Sequence, residues 1–247
     1  MADKKLDRRS FLKLCASAGL VVAADPRHLA HAAGGLSRGA RASIVDSTGN
    51  PVRCEQLEVG QTYVFHYPYV STPCFLINLG RPAEPGDELR TGDGRSYRWQ
   101  GGVGPGRSIV AFSAICAHKM SYPTKSVSFI NYRHELTPYT DREYKPAKRE
   151  QVIYCCSEGS VYDPANGCEV LGGPAPQPLA AIALDYDPDG DCLAASGVYG
   201  ADMFETFFEK FGFQLSLQHG GHDIRQPVGE KTLVESLDQY SRNTSVC

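Results

Sequence analysis

Short apolar stretches separated by turn residues run through the chain from about residue 60 to residue 195. The stretches are rich in β-branched and aromatic residues, which is typical of strands. Seven of them are predicted as strands, at residues 62–65, 74–79, 108–115, 127–132, 151–154, 179–186 and 192–195. Glycine, proline and aspartate lie between them and favour turns, and the Asp-Pro-Asp-Gly sequence at 187–190 predicts a hairpin. The pattern therefore predicts an all-β protein.

A helical pattern appears only late in the chain, at residues 202–211. Five apolar side chains there fall on one stripe at helical spacing, namely Met203, Phe204, Phe207, Phe208 and Phe211. Gly212 is the predicted end of this helix. We expect the helix to pack on the β domain, and a docking face for a partner is the alternative.

Composition and charge narrow the classes of function. Hydrophobic residues make up 42% of the 247 residues, which is enough for a packed core and excludes a disordered chain. The formal net charge of −3 gives no electrostatic basis for binding nucleic acid. No acid–base pair or nucleophile triad stands out, so the sequence does not favour a stand-alone hydrolytic enzyme.

Residues 1–33 have the pattern of an export signal. Arg8–Lys13 reads Arg-Arg-Ser-Phe-Leu-Lys and resembles a twin-arginine signal. The apolar run 14–24 is shorter than the roughly 20 residues that span a bilayer, and Ala-His-Ala at 30–32 is suited to cleavage. The twin-arginine route carries folded proteins, often with a cofactor. We therefore expect a periplasmic protein, and an uncleaved leader attached to the inner membrane is the alternative.

Two strand-end sequences carry cysteine and histidine. Cys116-Ala-His118 ends one predicted strand, and the segment 155–163, Cys-Cys-Ser-Glu-Gly-Ser-Val-Tyr-Asp, follows another. Thiolates and imidazoles suit transition metals, so two such loops predict a two-sided metal clamp. The other cysteines are scattered, and some are expected to form disulfides in an oxidising compartment.

Together with the proline-rich sequence Gly-Gly-Pro-Ala-Pro at 172–176, these sequences resemble the Rieske iron–sulfur family over residues 109–195. That resemblance implies a Rieske-type antiparallel β sandwich or small barrel with a [2Fe-2S] cluster, bound by two cysteines on one iron and two histidines on the other. It implies a Rieske domain at 44–198, with its cluster-binding part at 109–180, and a helical extension at 199–247. The implied metal ligands come from Cys116, His118, Cys155, Cys156 and Glu158. The residues implied to lie against the cofactor are Ser160, Tyr162, Gly173, Pro174 and Pro176.

The second cluster sequence departs from the family because it has no histidine. Aligned on Gly-Ser-x-Tyr-Asp, Cys155 is the ligand and Glu158 replaces the imidazole; shifted by one residue, Cys156 is the ligand and Gly159 fills the gap. Three alternatives stay open: Glu158 or solvent as fourth ligand, both cysteines as ligands, or no stable cluster. Ser121 and Ser157 stand where relatives have a disulfide between the loops.

The resemblance implies a periplasmic one-electron carrier, a subunit of a respiratory oxidoreductase that passes electrons to a c-type cytochrome. Quinol oxidation is a weaker expectation, because the missing histidine is the one usually credited with docking quinol. The insertion 131–149 is either a solvated loop or a docking surface for an acidic partner. Two other classes remain: a cluster-free scaffold of a periplasmic complex, and a protein that binds one Zn²⁺ through Cys116, His118 and Cys155.

Overall fold

The structure, a computed structural model, describes residues 35–247 together with the backbone of Ala30 and His31. The remainder of the predicted export signal lies outside the described residues. Among the helices of the described part, none is long and apolar enough to cross a membrane.

The described residues form short strands and two α-helices. The strands are β1 (Ala30–His31), β2 (Leu36–Val45), β3 (Thr62–His66), β4 (Pro73–Asn78), β5 (Leu89–Arg90), β6 (Ser96–Tyr97), β7 (Ile109–Ser113), β8 (Ile130–Arg133), β9 (Thr137–Thr140), β10 (Pro146–Arg149), β11 (Val152–Cys155), β12 (Ser160–Asp163), β13 (Glu169–Gly172), β14 (Ala181–Asp187), β15 (Cys192–Tyr199), β16 (Lys231–Leu233) and β17 (Glu235–Ser236). The helices are α1 (Met203–Gln218) and α2 (Leu237–Tyr240), and two 3₁₀ turns lie at Cys54–Gln56 and Pro164–Asn166.

A large, mainly antiparallel sheet forms the body, in the order β1-β2-β15-β14-β7-β4-β3-β17, with β16 paired in parallel to β2. The adjacent strands β16 and β17 bring its two ends together, because β16 pairs with β2 and β17 pairs with β3. The sheet is therefore close to a closed barrel, which leaves few unpaired strand edges. The prediction of an all-β fold is confirmed. The predicted hairpin at 187–190 is also confirmed, since it joins β14 to β15.

A second, four-stranded antiparallel sheet has the order β13-β12-β11-β8. The insertion 131–149, predicted as a loop or a docking surface, contributes the end of β8 and the two-stranded hairpin β9–β10. Asp141, in the turn of that hairpin, bridges to Gly172 at the end of β13. The insertion is thus an ordered hairpin beside the proline-rich segment.

The large sheet separates two hydrophobic cores, because successive side chains of a strand point to opposite faces. On β4, Cys74 and Leu76 enter the first core, while Phe75 and Ile77 enter the second. Helix α1 covers the first core. The small sheet covers the second core, which also contains the candidate cysteines Cys116 and Cys155.

Helix α1 is longer than predicted. It begins at Met203 as expected, but it continues through Gly212 to Gln218, so the predicted end at Gly212 is wrong. Leu215 extends the apolar stripe by one turn and is buried in the first core, and this burial offsets the helix-weakening effect of one glycine. The chain leaves the helix at Gly220 and Gly221, which both have positive φ angles (64° and 81°).

The burial of α1 predicts how much its stripe stabilises the protein. Phe207→Ala removes a fully buried ring and should lower the free energy of unfolding by about 3–5 kcal/mol. The matched control is Phe213→Ala, because Phe213 lies on the same helix with 82% of its surface exposed. It should change stability by about 0.5 kcal/mol or less. Denaturant unfolding of the two variants tests this, and equal losses would contradict the packing described for α1.

Candidate metal centre

The first candidate loop follows β7 at the edge of the second core. The Cys116 N–H donates to the Ser121 carbonyl at 2.8 Å, and the Met120 N–H donates to the Cys116 carbonyl at 2.9 Å. These two bonds close a tight turn across residues 116–121. Cys116 is buried within this turn, while the side chain of His118 keeps 26% of its surface exposed.

The second candidate loop is the four-residue turn 156–159 between β11 and β12. Cys155 and Ser160 form the pair that closes this hairpin, and the Gly159 N–H donates to the Cys155 carbonyl at 2.9 Å. Gly159 has a φ of +75°, a conformation that favours glycine. The turn buries Cys155 completely and leaves Glu158 at its exposed tip.

The two loop tips touch through Ser121 and Ser157. Their hydroxyl oxygens lie 2.8 Å apart and form a hydrogen bond. These are the two positions where the resemblance described above places the disulfide of Rieske proteins. A hydrogen bond thus joins the loops at the same point, which supports the alignment in which Cys155 is the ligand position.

The thiols of Cys116 and Cys155 are both buried in the second core beneath the loop tips. The interaction with Cys155 lowers the pKa of Cys116, and the Tyr162 hydroxyl and nearby backbone N–H groups act in the same direction, against burial. The same interaction, and then burial, raises the pKa of Cys155. The pair therefore loses its first proton readily and its second with difficulty, so a bound cation would stabilise the doubly ionised form.

Tyr162 connects this thiol pair to the first loop. Its hydroxyl lies 3.4 Å from the Cys116 sulfur and accepts a hydrogen bond from the Ala117 N–H at 3.2 Å. Burial raises the pKa of Tyr162 well above its usual value, so the hydroxyl stays protonated and can donate to a thiolate.

His118 and Glu158 form a second pair at the loop tips. The Nδ1 atom of His118 lies 3.4 Å from a carboxylate oxygen of Glu158. The two are not aligned for a hydrogen bond, however, so the buried Nδ1 atom has no hydrogen-bond partner. The other carboxylate oxygen of Glu158 lies 3.3 Å from the Lys119 ammonium. The imidazole of His118, two residues after Cys116, thus lies beside the carboxylate of Glu158, three residues after Cys155.

The residues predicted to lie against a cofactor surround the second loop. The buried Ser160 hydroxyl has no hydrogen-bond partner. Gly173 approaches so closely that a Cβ atom there would lie 2.3 Å from the Gly159 carbonyl oxygen. Pro174 and Pro176 line a cavity of about 590 Å³ together with Glu158. The proline-rich segment therefore lies beside the loop tip.

Cys156 does not face the site, and the structure corrects its selection as a candidate ligand. Its sulfur forms a disulfide with Cys247. Successive residues leave a strand end in opposite directions, so Cys156 points away from the second core, which Cys155 enters. The arrangement with both cysteines as ligands, and the alignment shifted by one residue, are therefore not available in this structure.

His134, a histidine of the insertion 131–149, packs against Tyr132, with their ring centroids 6.3 Å apart. Within residues 35–247, no three His, Cys, Asp or Glu side chains surround one point closely enough to hold a single metal ion. Cys116, His118 and Cys155 are therefore not gathered around one point in the described part of this structure.

Sequence reasoning missed three contacts of this region: the Cys156–Cys247 disulfide, the Lys119–Glu158 ion pair, and the position of Arg133 at the disulfide. Arg133 lies with a guanidinium nitrogen 3.0 Å from the Cys156 sulfur. The even number of cysteines outside the leader indicated that pairing was feasible, but no local pattern identified the pair. The two disulfide cysteines are 91 residues apart in sequence.

The described residues fit a binuclear cluster better than a single ion. Two thiols converge on the buried side, and an unpartnered imidazole nitrogen meets a carboxylate on the exposed side. A two-iron cluster needs one ligand pair for each iron. Two of the buried polar atoms that lack a partner in the described part, on His118 and Ser160, lie in this region, and buried polar groups are normally satisfied.

No protein-family model matches the sequence. Among solved structures, the chain is similar to the soluble domain of the Rieske protein II (soxF) from Sulfolobus acidocaldarius. The two are 25% identical, and the alignment covers 65% of this chain and 78% of that chain with a TM-score of 0.45.

The contact between the loop tips predicts an engineered crosslink. In the double variant Ser121→Cys/Ser157→Cys, the two sulfurs should oxidise to a disulfide, because the present oxygens are 2.8 Å apart and cystine needs Cβ atoms about 3.5–4.5 Å apart. Non-reducing peptide mapping by mass spectrometry detects the bond. The single variants Ser121→Cys and Ser157→Cys are the controls and should each keep a free thiol. A double variant that stays reduced under mild oxidant would contradict the arrangement of the loops.

Proposed function

We propose that this protein is a one-electron carrier that holds a Rieske-type [2Fe-2S] cluster between its two loop tips. Cys116 and Cys155 would bind one iron, and His118 and Glu158 would bind the other. The observation that carries the proposal is that His118 lies 3.4 Å from Glu158 at the tips of the two loops whose buried ends carry Cys116 and Cys155.

The surroundings of the thiols suit a negatively charged ligand pair. The hydroxyl of Tyr162 and the backbone N–H groups of His118 and Lys119 all favour the Cys116 thiolate. Donors of this kind stabilise the extra negative charge that a cluster carries when it is reduced. A bound cluster would supply reversible uptake of one electron, and these donors set how readily the electron is held.

The exposed pair provides the route by which an electron leaves. Cys116 and Cys155 are buried, whereas the side chains of His118 and Glu158 are 26% and 37% exposed. A partner would therefore approach from the side of His118 and Glu158. A carboxylate in place of an imidazole adds negative charge at this edge, so we propose a lower potential than a two-histidine site would have.

The leader sequence and the resemblance of the loops support a proposed location and partner. We propose that the protein is exported to the periplasm by the twin-arginine route, on the basis of Arg8 and Arg9. There it would pass electrons to a c-type cytochrome or to a larger subunit of a respiratory oxidoreductase. Electron transfer between proteins is favoured over quinol oxidation, because the second loop presents Glu158 where relatives present the imidazole credited with docking quinol.

One contact favours a second candidate, a cluster-free module that stabilises a partner complex. Lys119 lies 3.3 Å from Glu158 and balances its charge without a metal. In that case the loops would keep the shape of a cluster site without its chemistry.

Spectroscopy of the purified protein separates the two candidates. We expect visible absorption, iron and acid-labile sulfide in a ratio of about one to one, and a low-temperature EPR signal after reduction with dithionite. A colourless protein that contains neither iron nor sulfide, when purified anaerobically from cells with intact cluster assembly, would contradict the electron-carrier proposal and support the scaffold.

Substitutions at Glu158 test the fourth ligand. Glu158→Gln removes the charged oxygen and should lower the iron content, while Glu158→His should keep the cluster and raise its potential by on the order of 100 mV, because a neutral imidazole replaces an anion. Redox titration followed by EPR measures both effects. The control is Glu143→Gln, which changes an exposed glutamate of the β9–β10 turn. A Glu158→Gln protein with unchanged iron content and potential would show that Glu158 is not a ligand.

The Tyr162 hydroxyl should tune the potential. Tyr162→Phe removes a donor that lies 3.4 Å from the Cys116 sulfur and should lower the potential by on the order of tens of millivolts. Tyr132→Phe is the matched control, since it removes a hydroxyl in the same small sheet that contacts His134 instead. Protein-film voltammetry of both variants measures the difference. Equal potentials for the two variants would mean that Tyr162 has no direct effect on the thiolate.

A further inference from the structure

The last seven residues, 241–247, form a segment that runs from helix α2 to the second loop, and we call it the C-terminal segment. It follows the chain around Ser128: the Ser128 N–H donates to the Asn243 carbonyl at 2.9 Å, and the Ser245 N–H donates to the Ser128 carbonyl at 2.8 Å. Ser128 and Thr244 form a parallel bridge. The segment ends at Cys247, which is bonded to Cys156.

Side chains of strands β8 and β11 surround this disulfide. The Arg133 guanidinium lies 3.0 Å from the Cys156 sulfur and donates to the Cys247 carbonyl at 3.3 Å. It also stacks on the Tyr154 ring, 4.2 Å from the centroid. The Asn131 amide donates to the Ser245 carbonyl at 2.9 Å. The disulfide is therefore seated among side chains of β8 and β11, and the C-terminal segment is attached to the sheet that carries Cys155.

The second loop has few other constraints at its tip. Besides the disulfide and the Arg133 contact of Cys156, the second loop has the hydrogen bonds of Gly159 with Cys155, of Cys156 with Phe129 and of Ser157 with Ser121. Lys119 also forms an ion pair with Glu158 at the exposed tip. Cys155 and Cys156 are neighbours that point to opposite faces. A bond that fixes Cys156 on the outer face therefore also fixes which thiol faces Cys116.

We propose that Cys247 is a positioning residue for the candidate metal centre. Its disulfide holds Cys156 on the outer face of the second loop and thereby keeps Cys155 against Cys116. The functional meaning of this arrangement rests on the proposed cluster, but the positioning itself is a property of the cluster-free chain and can be measured there.

Thiol reactivity provides the test, with the purified metal-free protein and iodoacetamide as the probe. In Cys247→Ser, the alkylation rate of Cys155 should rise about tenfold or more, because local opening becomes easier, and amide exchange at 156–159 should accelerate with it. Cys74 and Cys168 are completely buried in the two cores, and they should stay as unreactive as in the wild type. Mass spectrometry of the peptides reads each cysteine separately.

Two further variants identify the cause. Cys156→Ser/Cys247→Ser should match Cys247→Ser at Cys155, because the bond is lost in both. Cys192→Ser is the matched control; it removes a cysteine that is free in the structure and should leave Cys155 at the wild-type rate. If the double variant instead keeps the wild-type rate, the effect comes from the freed Cys156 thiol and the proposal is overturned.

The proposal is also overturned if Cys247→Ser leaves Cys155 at the wild-type rate, or if Cys74 and Cys168 become reactive in parallel, since the bond would then only stabilise the fold. These outcomes do not depend on iron. A wild-type protein without a cluster would contradict the proposed function and leave the positioning result intact.

Discussion

The buried hydroxyl of Tyr162 is the contact on which the candidate centre depends. Its ring is part of the second core, so packing of the two sheets fixes its position, and its hydroxyl then meets both the Ala117 N–H and the Cys116 sulfur. Loop geometry is usually set by local turns, but here a core residue of the small sheet fixes a loop that belongs to the large sheet. The two cysteines meet because two sheets pack, and any shift between the sheets would separate the thiols.

Burial and hydrogen bonding have opposite effects on the ionisation of the Cys116 thiol. A thiolate in a core is costly unless hydrogen bonds compensate it, and the donors around Cys116 lower its pKa in spite of burial. The site is therefore prepared for negative charge before any cation is present. At the exposed tip, by contrast, the negative charge of Glu158 is balanced by the Lys119 ammonium in solvent. An ion pair in such a position contributes little to stability.

The strands were predictable because local runs rich in β-branched and aromatic residues lie between turn residues, and the stripe from Met203 to Phe211 identified α1 because it is also a local pattern. The end of α1 was not predictable from Gly212 alone, because it depends on Leu215 reaching a core built by distant strands. Cys116, His118 and Cys155 could be selected from the two loop sequences. The disulfide partner of Cys156 could not be predicted, because it depends on the path of the C-terminal segment beside Ser128 and on the contact of Arg133 with the Cys156 sulfur.

The site is held together by noncovalent contacts between its two loops and by one disulfide on the outer side of the second loop. The loops are joined at their tips by the exposed Ser121–Ser157 hydrogen bond, which contributes about 0.5–1.5 kcal/mol, and by the Lys119–Glu158 ion pair. On the outer side of the second loop, at Cys156, there is a disulfide that closes a 91-residue separation and by chain entropy contributes about 4–5 kcal/mol to the stability of the whole fold. The contacts between the loop tips are therefore noncovalent and exposed, whereas the second loop is attached covalently to the C-terminal segment. For the first loop, the buried Tyr162 hydroxyl supplies the corresponding link to the small sheet.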